Sequence, residues 1–373
     1  MLPQFARRAF RGAAPAARRY AVATAPRVMQ SEALVPGLIA AGAGVAALVL
    51  TLRGEQDLKK RVAALEIDAA EKTSSAFVFI KPHAVTDQVK ALVTKELAAA
   101  GIMVKSEGAI PAEMIDKDAL IDTHYGAIAA KAMRQKPATL TVQPKAQAQF
   151  EKTFGLSWSD ALAKGLVYNA VDGAAKLGIS FDELGAKWGT LKKEVTLLKF
   201  GGGFYCGKVG DIFIINGFYM DMRKAFTKPG TCIYYYETEW PASTLPWADF
   251  RGKVLGGTDP KSAAPGSLRN NIFKNWQALG LKREPNTGDN GVHASASPFE
   301  ALAERSNWLG TPLAADPFGR AMLASGVPMR LLKAWTNDPP VNFEGKKQSI
   351  FDLLEDLDGR DCLKKSAEIA KLN

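Results

Sequence analysis

The chain holds only three histidines, His83, His124 and His293, so a nucleophilic or proton-transferring imidazole has few candidates. His83 sits just past an apolar run, and His124 precedes Tyr125 on an expected helix; both read as surface or satisfied core residues. His293 has different surroundings. Four residues on, Ser297-Pro298-Phe299-Glu300 has the pattern of a capping box with proline at the first helical position. A helix starting there turns its positive end toward the imidazole, a place that favours an anion. Glu304 lies one turn beyond Glu300 and can accept a hydrogen bond from one ring nitrogen. That bond would fix the tautomer and leave the other nitrogen to attack.

The elements that must position these groups are legible in outline. Ala76–Ile80 reads as a buried strand ending at Lys81-Pro82. Asp87 caps a helix with apolar Val89, Leu92, Val93 and Leu97 at helical spacing, and Gly101 stops it. Ile102–Ile110 is the next strand, and Thr231–Glu237 a third that is followed by helical segments. The fold class is α/β in the sense of an α+β sandwich: a ferredoxin-like antiparallel sheet with helices on one face.

Several motifs occur in a recognisable order: FIKP ending the first strand, His124-Tyr125, LGGTDPKSAAPGSLR over Leu255–Arg269, and NGVHAS over Asn290–Ser295, continuing through Glu304 and Trp308. Together they resemble nucleoside diphosphate kinases, over a domain read as 75–135 and 216–310. The resemblance implies transfer of a terminal phosphate from a nucleoside triphosphate such as ATP to a nucleoside diphosphate through a phosphohistidine. Such transfer needs a nucleophile that holds the phosphoryl group briefly, so that both half-reactions share one site. The resemblance gives that role to His293, oriented by Glu304 with help from Ser295. It assigns Lys81 and Tyr125 to the transferred phosphate and the ribose hydroxyl, Thr258 and Arg269 to the outer phosphates, and Asn290 to the ribose hydroxyl. Magnesium (Mg2+) would enter with the nucleotide rather than in a protein cage. The family carries an aromatic segment and a helix just before its third strand, so the resemblance implies that the pair Phe218-Tyr219 stacks on the base, which tolerates any base because each has a π face. Gly201-Gly202-Gly203 lacks the following Lys-Ser or Lys-Thr of a phosphate loop and reads as a hairpin turn.

The chain departs from that family in places. Gly252 stands where the family has a phosphate-binding arginine, flanked by Arg251 and Lys253. The stretch from Arg269 to Asn290 is long and carries the polar loop KREPNTGD. Residues 136–215 form an insertion with enough apolar residues for a packed subdomain, helical around FGLSWSDALAKGLVYNAVDGAAKLG and FDELGAKWGTLKK, then strand-like at VTLLKF and DIFIIN. Residues 311–373 add a helical extension with an amphipathic segment, SIFDLLEDL. Insertion and extension both read as docking or oligomer-blocking surfaces. An alternative function is therefore a kinase-like structural or assembly subunit of a larger membrane complex.

The formal charge is +10, but Arg7, Arg8, Arg11, Arg18 and Arg19 lie in an acid-free opening stretch. Without them the rest carries about +5, which needs no nucleic-acid partner. Three scattered cysteines form no metal or redox spacing. Residues 1–20 read as a mitochondrial transit peptide, with Arg18-Arg19-Tyr20 resembling a matrix-peptidase site. The uncharged Ala33–Leu52 reads as a single transmembrane helix in inner-membrane lipid, residues 53–74 as a helical stalk, and the basic residues after it favour the matrix face. Carbonate extraction of mitochondria checks this expectation. Retention in the membrane pellet is the expected result, and release into the soluble fraction would remove the anchor.

Overall fold

The computed structural model describes residues 41–373, and of residues 41–53 only the backbone. The transit peptide expected over residues 1–20 lies outside the described residues. Those up to Glu55 form one compact unit and Gln56–Asn373 another, and every strand among the described residues belongs to the second. A helix, Ala41–Lys72, leads into the first strand. No helix among the described residues is long and apolar enough to cross a membrane, so the span expected over Ala33–Leu52 is without support. Its first eight residues lie outside the described ones, and the helix meets Arg53 after twelve uncharged residues. Those twelve rise about 18 Å, against ~30 Å for a bilayer core.

The strands in chain order are β1 (Thr73–Ile80), β2 (Met103–Pro111), β3 (Val167–Asn169), β4 (Leu197–Gly201), β5 (Phe204–Val209), β6 (Ile212–Ile215), β7 (Cys232–Pro241), β8 (Val292–Ala294), β9 (Pro340–Phe343) and β10 (Lys346–Ser349). The central sheet has the order β2-β7-β1-β8 and is antiparallel throughout. Its strands thus lie in the order expected of a ferredoxin-like sandwich. Helix Asp87–Ala99 links β1 to β2; the Thr86 hydroxyl caps it by accepting from the Val89 N–H, so Asp87 is the first helical residue rather than the cap.

Both faces of this sheet are covered, which corrects the expectation of helices on one face. The cause lies in β1, whose run from Ala76 to Ile80 is apolar at every position and therefore on both sides. Ala76, Val78 and Ile80 pack against Val89, Val93 and Leu97 of the linking helix and Leu268 and Ile272 of helix Leu268–Lys274. Phe77 and Phe79 point the other way and pack on Ile115, Leu120, Ile121, Phe226 and Trp308. Leaving either face bare would forfeit about 1.5–3 kcal/mol for each large side chain.

The insertion is a packed body with a second sheet, β3-β6-β5-β4, in which β3 runs parallel to β6 and the other pairs are antiparallel. Its core gathers Phe150, Trp158, Phe200, Phe204 and Phe213. Val167–Asn169, expected within a helical segment, is instead the strand β3. Gly165 (φ +63°) turns the chain after helix Trp158–Ala163, and Asn169 caps the next helix by accepting from the Asp172 N–H. Gly201-Gly202-Gly203 makes the turn from β4 to β5.

The extension after Leu309 is not wholly helical. It includes the hairpin β9–β10, turned by Glu344 and Gly345, both at positive φ, as a tight hairpin requires. The segment SIFDLLEDL is helical only over Ile350–Leu354. The extension's apolar residues Phe318, Met322, Leu332, Trp335 and Leu354 form one core with Phe299 and Leu302 of helix Pro298–Leu309. Arg305 on that helix donates to the buried Asp316 carboxylate at 2.7 Å. The extension is therefore packed as a wall behind the helix that carries Glu304.

Candidate active site

Strand register builds the site. His293 on β8 lies opposite Phe79 on β1, and the Ser295 N–H bonds to the Phe77 carbonyl. Residues two apart share a face of the sheet, so Phe77, Phe79 and Lys81 lie on one face together with His293 and Ser295. The same face receives helix Pro298–Leu309. Ser297 caps its start by accepting from the Glu300 N–H, with Pro298 at the first position. The Glu300 carboxylate reaches back to the Ala296 N–H rather than to Ser297, so the reciprocal box is displaced by one residue.

Glu304 projects from this helix onto the histidine. His293 Nε2 lies 2.5 Å from Glu304 Oε1, and Ser295 Oγ lies 2.5 Å from Glu304 Oε2. Above about pH 7, where Glu304 is ionised and only accepts, Nε2 carries the proton and Nδ1 keeps its lone pair. The Ser295 hydroxyl accepts in turn from the Phe77 N–H. Burial pushes Glu304 up to about 7, against the His124 charge and the Ser295 bond. Burial, then Lys81, Arg269 and Arg251, hold His293 well below its usual value, so the ring is neutral at physiological pH. Phe79 stacks on the imidazole at 4.6 Å between centroids and 28° between planes.

The cations converge from three segments. Lys81 directly follows β1, is buried, and donates to the Gly288 carbonyl at 2.9 Å. Burial, then Arg269, lowers its ammonium to about 8. Arg269 is buried too; its Nε donates to the Val292 carbonyl and its Nη1 to the Gly256 carbonyl. Burial, then Arg251, brings it down to about 10. Gly256 (φ +93°) is required where the chain passes Ser267: a Cβ there would lie 2.3 Å from the Ser267 hydroxyl. Beside them Asn290 is buried, its Nδ2 donating to the Thr258 carbonyl at 3.0 Å while its Oδ1 has no partner. Thr258 itself is exposed. Arg251 Nε is likewise buried without a partner. Each such group costs about 1–3 kcal/mol unless something pairs with it.

A cleft of about 660 Å³ opens beside Lys81 and Tyr125. Phe218 lines one wall, and His83, Asn286 and Asp289 another, so the loop KREPNTGD does border the site. Tyr219 does not. Its ring is fully buried and its hydroxyl donates to Asp122 at 2.6 Å. Helix Tyr219–Thr227 begins at this residue; the Phe218 ring borders the cleft but also packs on the insertion core, edge-on to Tyr205 and near Trp188. Tyr125, packed edge-on against His124, is pushed up to about 12 by burial and then Glu304. The structure thus gathers His293, Glu304, Ser295, Lys81, Arg269, Tyr125, Asn290 and Thr258 around one region.

Sequence reasoning passed over some neighbours. His124 packs edge-on against His293 at 4.7 Å, and its Nδ1 lies 3.4 Å from Glu304 Oε1. His83 Nε2 accepts from the Gly291 N–H at 3.2 Å. Their nearness to Tyr125 and Lys81 in sequence was the available signal. His124, His293 and Glu304 are the group of metal-ligand type found among the described residues, with donor atoms within 4.8 Å of one another. The Trp308 indole N–H points at His124 Nδ1, and Nε2 of His293 is committed to Glu304. With two nitrogens and one oxygen, the set does not suit Mg2+, which prefers an all-oxygen shell.

No family model and no curated protein matches the chain. Among solved structures it is similar to a nucleoside diphosphate kinase from Encephalitozoon cuniculi in its apo form, at 12% identity and TM-score 0.32, covering 65% of this chain and 92% of that one. It is also similar to an NDP kinase from Pyrobaculum aerophilum, at 16% identity and TM-score 0.30, covering 63% and 95%. Likeness this low adds nothing to the geometry of the site.

The lowered Lys81 value gives a test with a definite sign. Anion affinity should fall as pH rises through about 8, because the ammonium loses its proton there. Pyrophosphate binding measured from neutral to alkaline pH on wild type and Lys81→Arg checks it. The guanidinium variant should keep its affinity where wild type loses it, and parallel curves would contradict the assignment.

Proposed function

We propose that this chain transfers the terminal phosphate of a nucleoside triphosphate to a nucleoside diphosphate through a phosphohistidine on His293. The observation that carries the reading is the neutral imidazole with Nε2 held by the buried Glu304 carboxylate, set among Lys81, Arg269 and Arg251. In the first half-reaction His293 Nδ1 attacks the terminal phosphorus. A nitrogen–phosphorus bond forms as the bond to the bridging oxygen breaks, and the nucleoside diphosphate leaves with that electron pair. The positive charge that develops on the ring is met by Glu304 through Nε2–H, and the charge on the phosphate oxygens by Lys81 and Arg269. An incoming nucleoside diphosphate then takes the phosphoryl group with its terminal oxygen, restoring the neutral imidazole.

Phe218 offers its ring to the base from the cleft wall, and the unpaired Oδ1 of Asn290 suits a ribose hydroxyl donor. Thr258 and Tyr125 border the phosphate and sugar positions. Magnesium arrives as part of the nucleotide substrate. The proposed mitochondrial location rests on the Arg-rich opening sequence.

Incubation with terminally labelled ATP tests the reaction. Wild type should acquire acid-labile, base-stable phosphate, and His293→Ala should lose both labelling and transfer by more than about a thousandfold. A wild type that never labels would sink the proposal, and an equally labelled variant would move the nucleophile elsewhere.

A further inference from the structure

Arg251 occupies a position that its sequence neighbours do not. Gly252 and Lys253 are exposed, and Lys253 is paired with Asp249 one turn back. Arg251 is half-buried, and its charge is felt at both Arg269 and His293. Its Nη1 donates to Glu355 Oε1 and to Asp356 Oδ1, both at 2.7 Å. These acids belong to the C-terminal extension, about a hundred residues away in sequence, as the stretch 311–373 places them.

The extension grips this turn at more than one point. The Asp356 N–H donates to the Ala296 carbonyl, between Ser295 and the capping Ser297. Asp358 Oδ1 accepts from the Trp247 N–H at 2.7 Å, where the turn carrying Arg251 begins. Leu354, fully buried against the core shared with Phe299, anchors the acidic segment from behind. Asp356 adopts a left-handed backbone (φ +60°), which aspartate takes more readily than most residues.

A guanidinium has five N–H donors. The two carboxylates engage Nη1, while Nε is buried and has no partner. A carboxylate or phosphate held by two parallel bonds takes one fork of the guanidinium, side-on at Nε–Nη2 or end-on at Nη1–Nη2. Here both acids meet Nη1 alone and the buried Nε is left unmet.

We propose that Glu355 and Asp356 are positioning residues that hold Arg251 by Nη1 so that its Nε–Nη2 edge receives an outer phosphate oxygen of the nucleotide. This deepens the kinase function proposed for the site and rests on it. The extension thereby supplies from behind what Gly252 cannot supply with a side chain.

The test uses the full chain and two readouts, equilibrium binding of magnesium-ATP by calorimetry and steady-state transfer. Glu355→Gln with Asp356→Asn should weaken magnesium-ATP about tenfold and raise KM more than it lowers kcat, the size expected for losing one charge-assisted bond. Arg251→Lys keeps a cation for both acids but lacks the fork, and should show the same loss with an unchanged melting temperature. Asp356→Glu, which keeps the carboxylate, should restore much of the affinity. Unchanged binding in the amide variant would overturn the proposal, and tighter binding would show instead that the acids occlude the site. A wild type that binds magnesium-ATP but forms no phosphohistidine would end the kinase reading while leaving the clamp to be judged by binding alone.

Discussion

The buried carboxylate of Glu304 is the constraint on which the site depends. Bringing an ionisable group out of water is costly unless its oxygens find donors, and here one oxygen meets His293 Nε2 and the other the Ser295 hydroxyl. Those donors stand two residues apart, on β8 and just past its end, so they face the same way, and β1 fixes both by pairing Phe79 with His293 and bonding the Ser295 N–H at the Phe77 carbonyl. A register slip of one residue would turn both donors to the opposite face and leave the carboxylate alone. The same arrangement that satisfies Glu304 also sets the histidine tautomer. Stability and chemistry are thus served by one pair of bonds.

The parts outside the ferredoxin-like sheet contribute to this site in different ways. The insertion ends in the segment that presents Phe218, and its helix Phe181–Gly189 adds Asp182 to the cleft wall, paired with Lys224. The C-terminal extension stands on the far side of helix Pro298–Leu309. Its core buries Phe299 and Leu302, its Asp316 holds Arg305, and its acidic turn reaches Arg251. The helix that bears Glu304 is consequently fixed from both sides, one packed on the sheet and one on the extension.

Much of this was legible from local chemistry. The capped start of the helix after His293, the position of Glu304 and the strand ending at Lys81 each follow from short-range patterns, because caps, helical spacing and strand ends are local effects. What was not legible depended on distant pairing. Val167–Asn169 becomes a strand only because β6 lies beside it, and its flanks are helical enough to hide it. Phe218 and Tyr219 are adjacent and chemically alike, yet Asp122 draws only the second inward. The apolar stretch Ala33–Leu52 reads as a span by composition, while the described helix turns charged at Arg53. The clamp on Arg251 joins segments too far apart in sequence for any motif to reveal.

The most direct test of the account is the protonation of the His293 ring. Nitrogen-15 NMR of the labelled full chain, with His293→Gln used to assign the resonances, reports each ring nitrogen separately. At neutral pH the account predicts a neutral imidazole with the proton on Nε2 and a bare Nδ1, switching to a mixture of tautomers in Glu304→Ala. A charged ring, a proton on Nδ1, or a tautomer unchanged by the loss of Glu304 would contradict it.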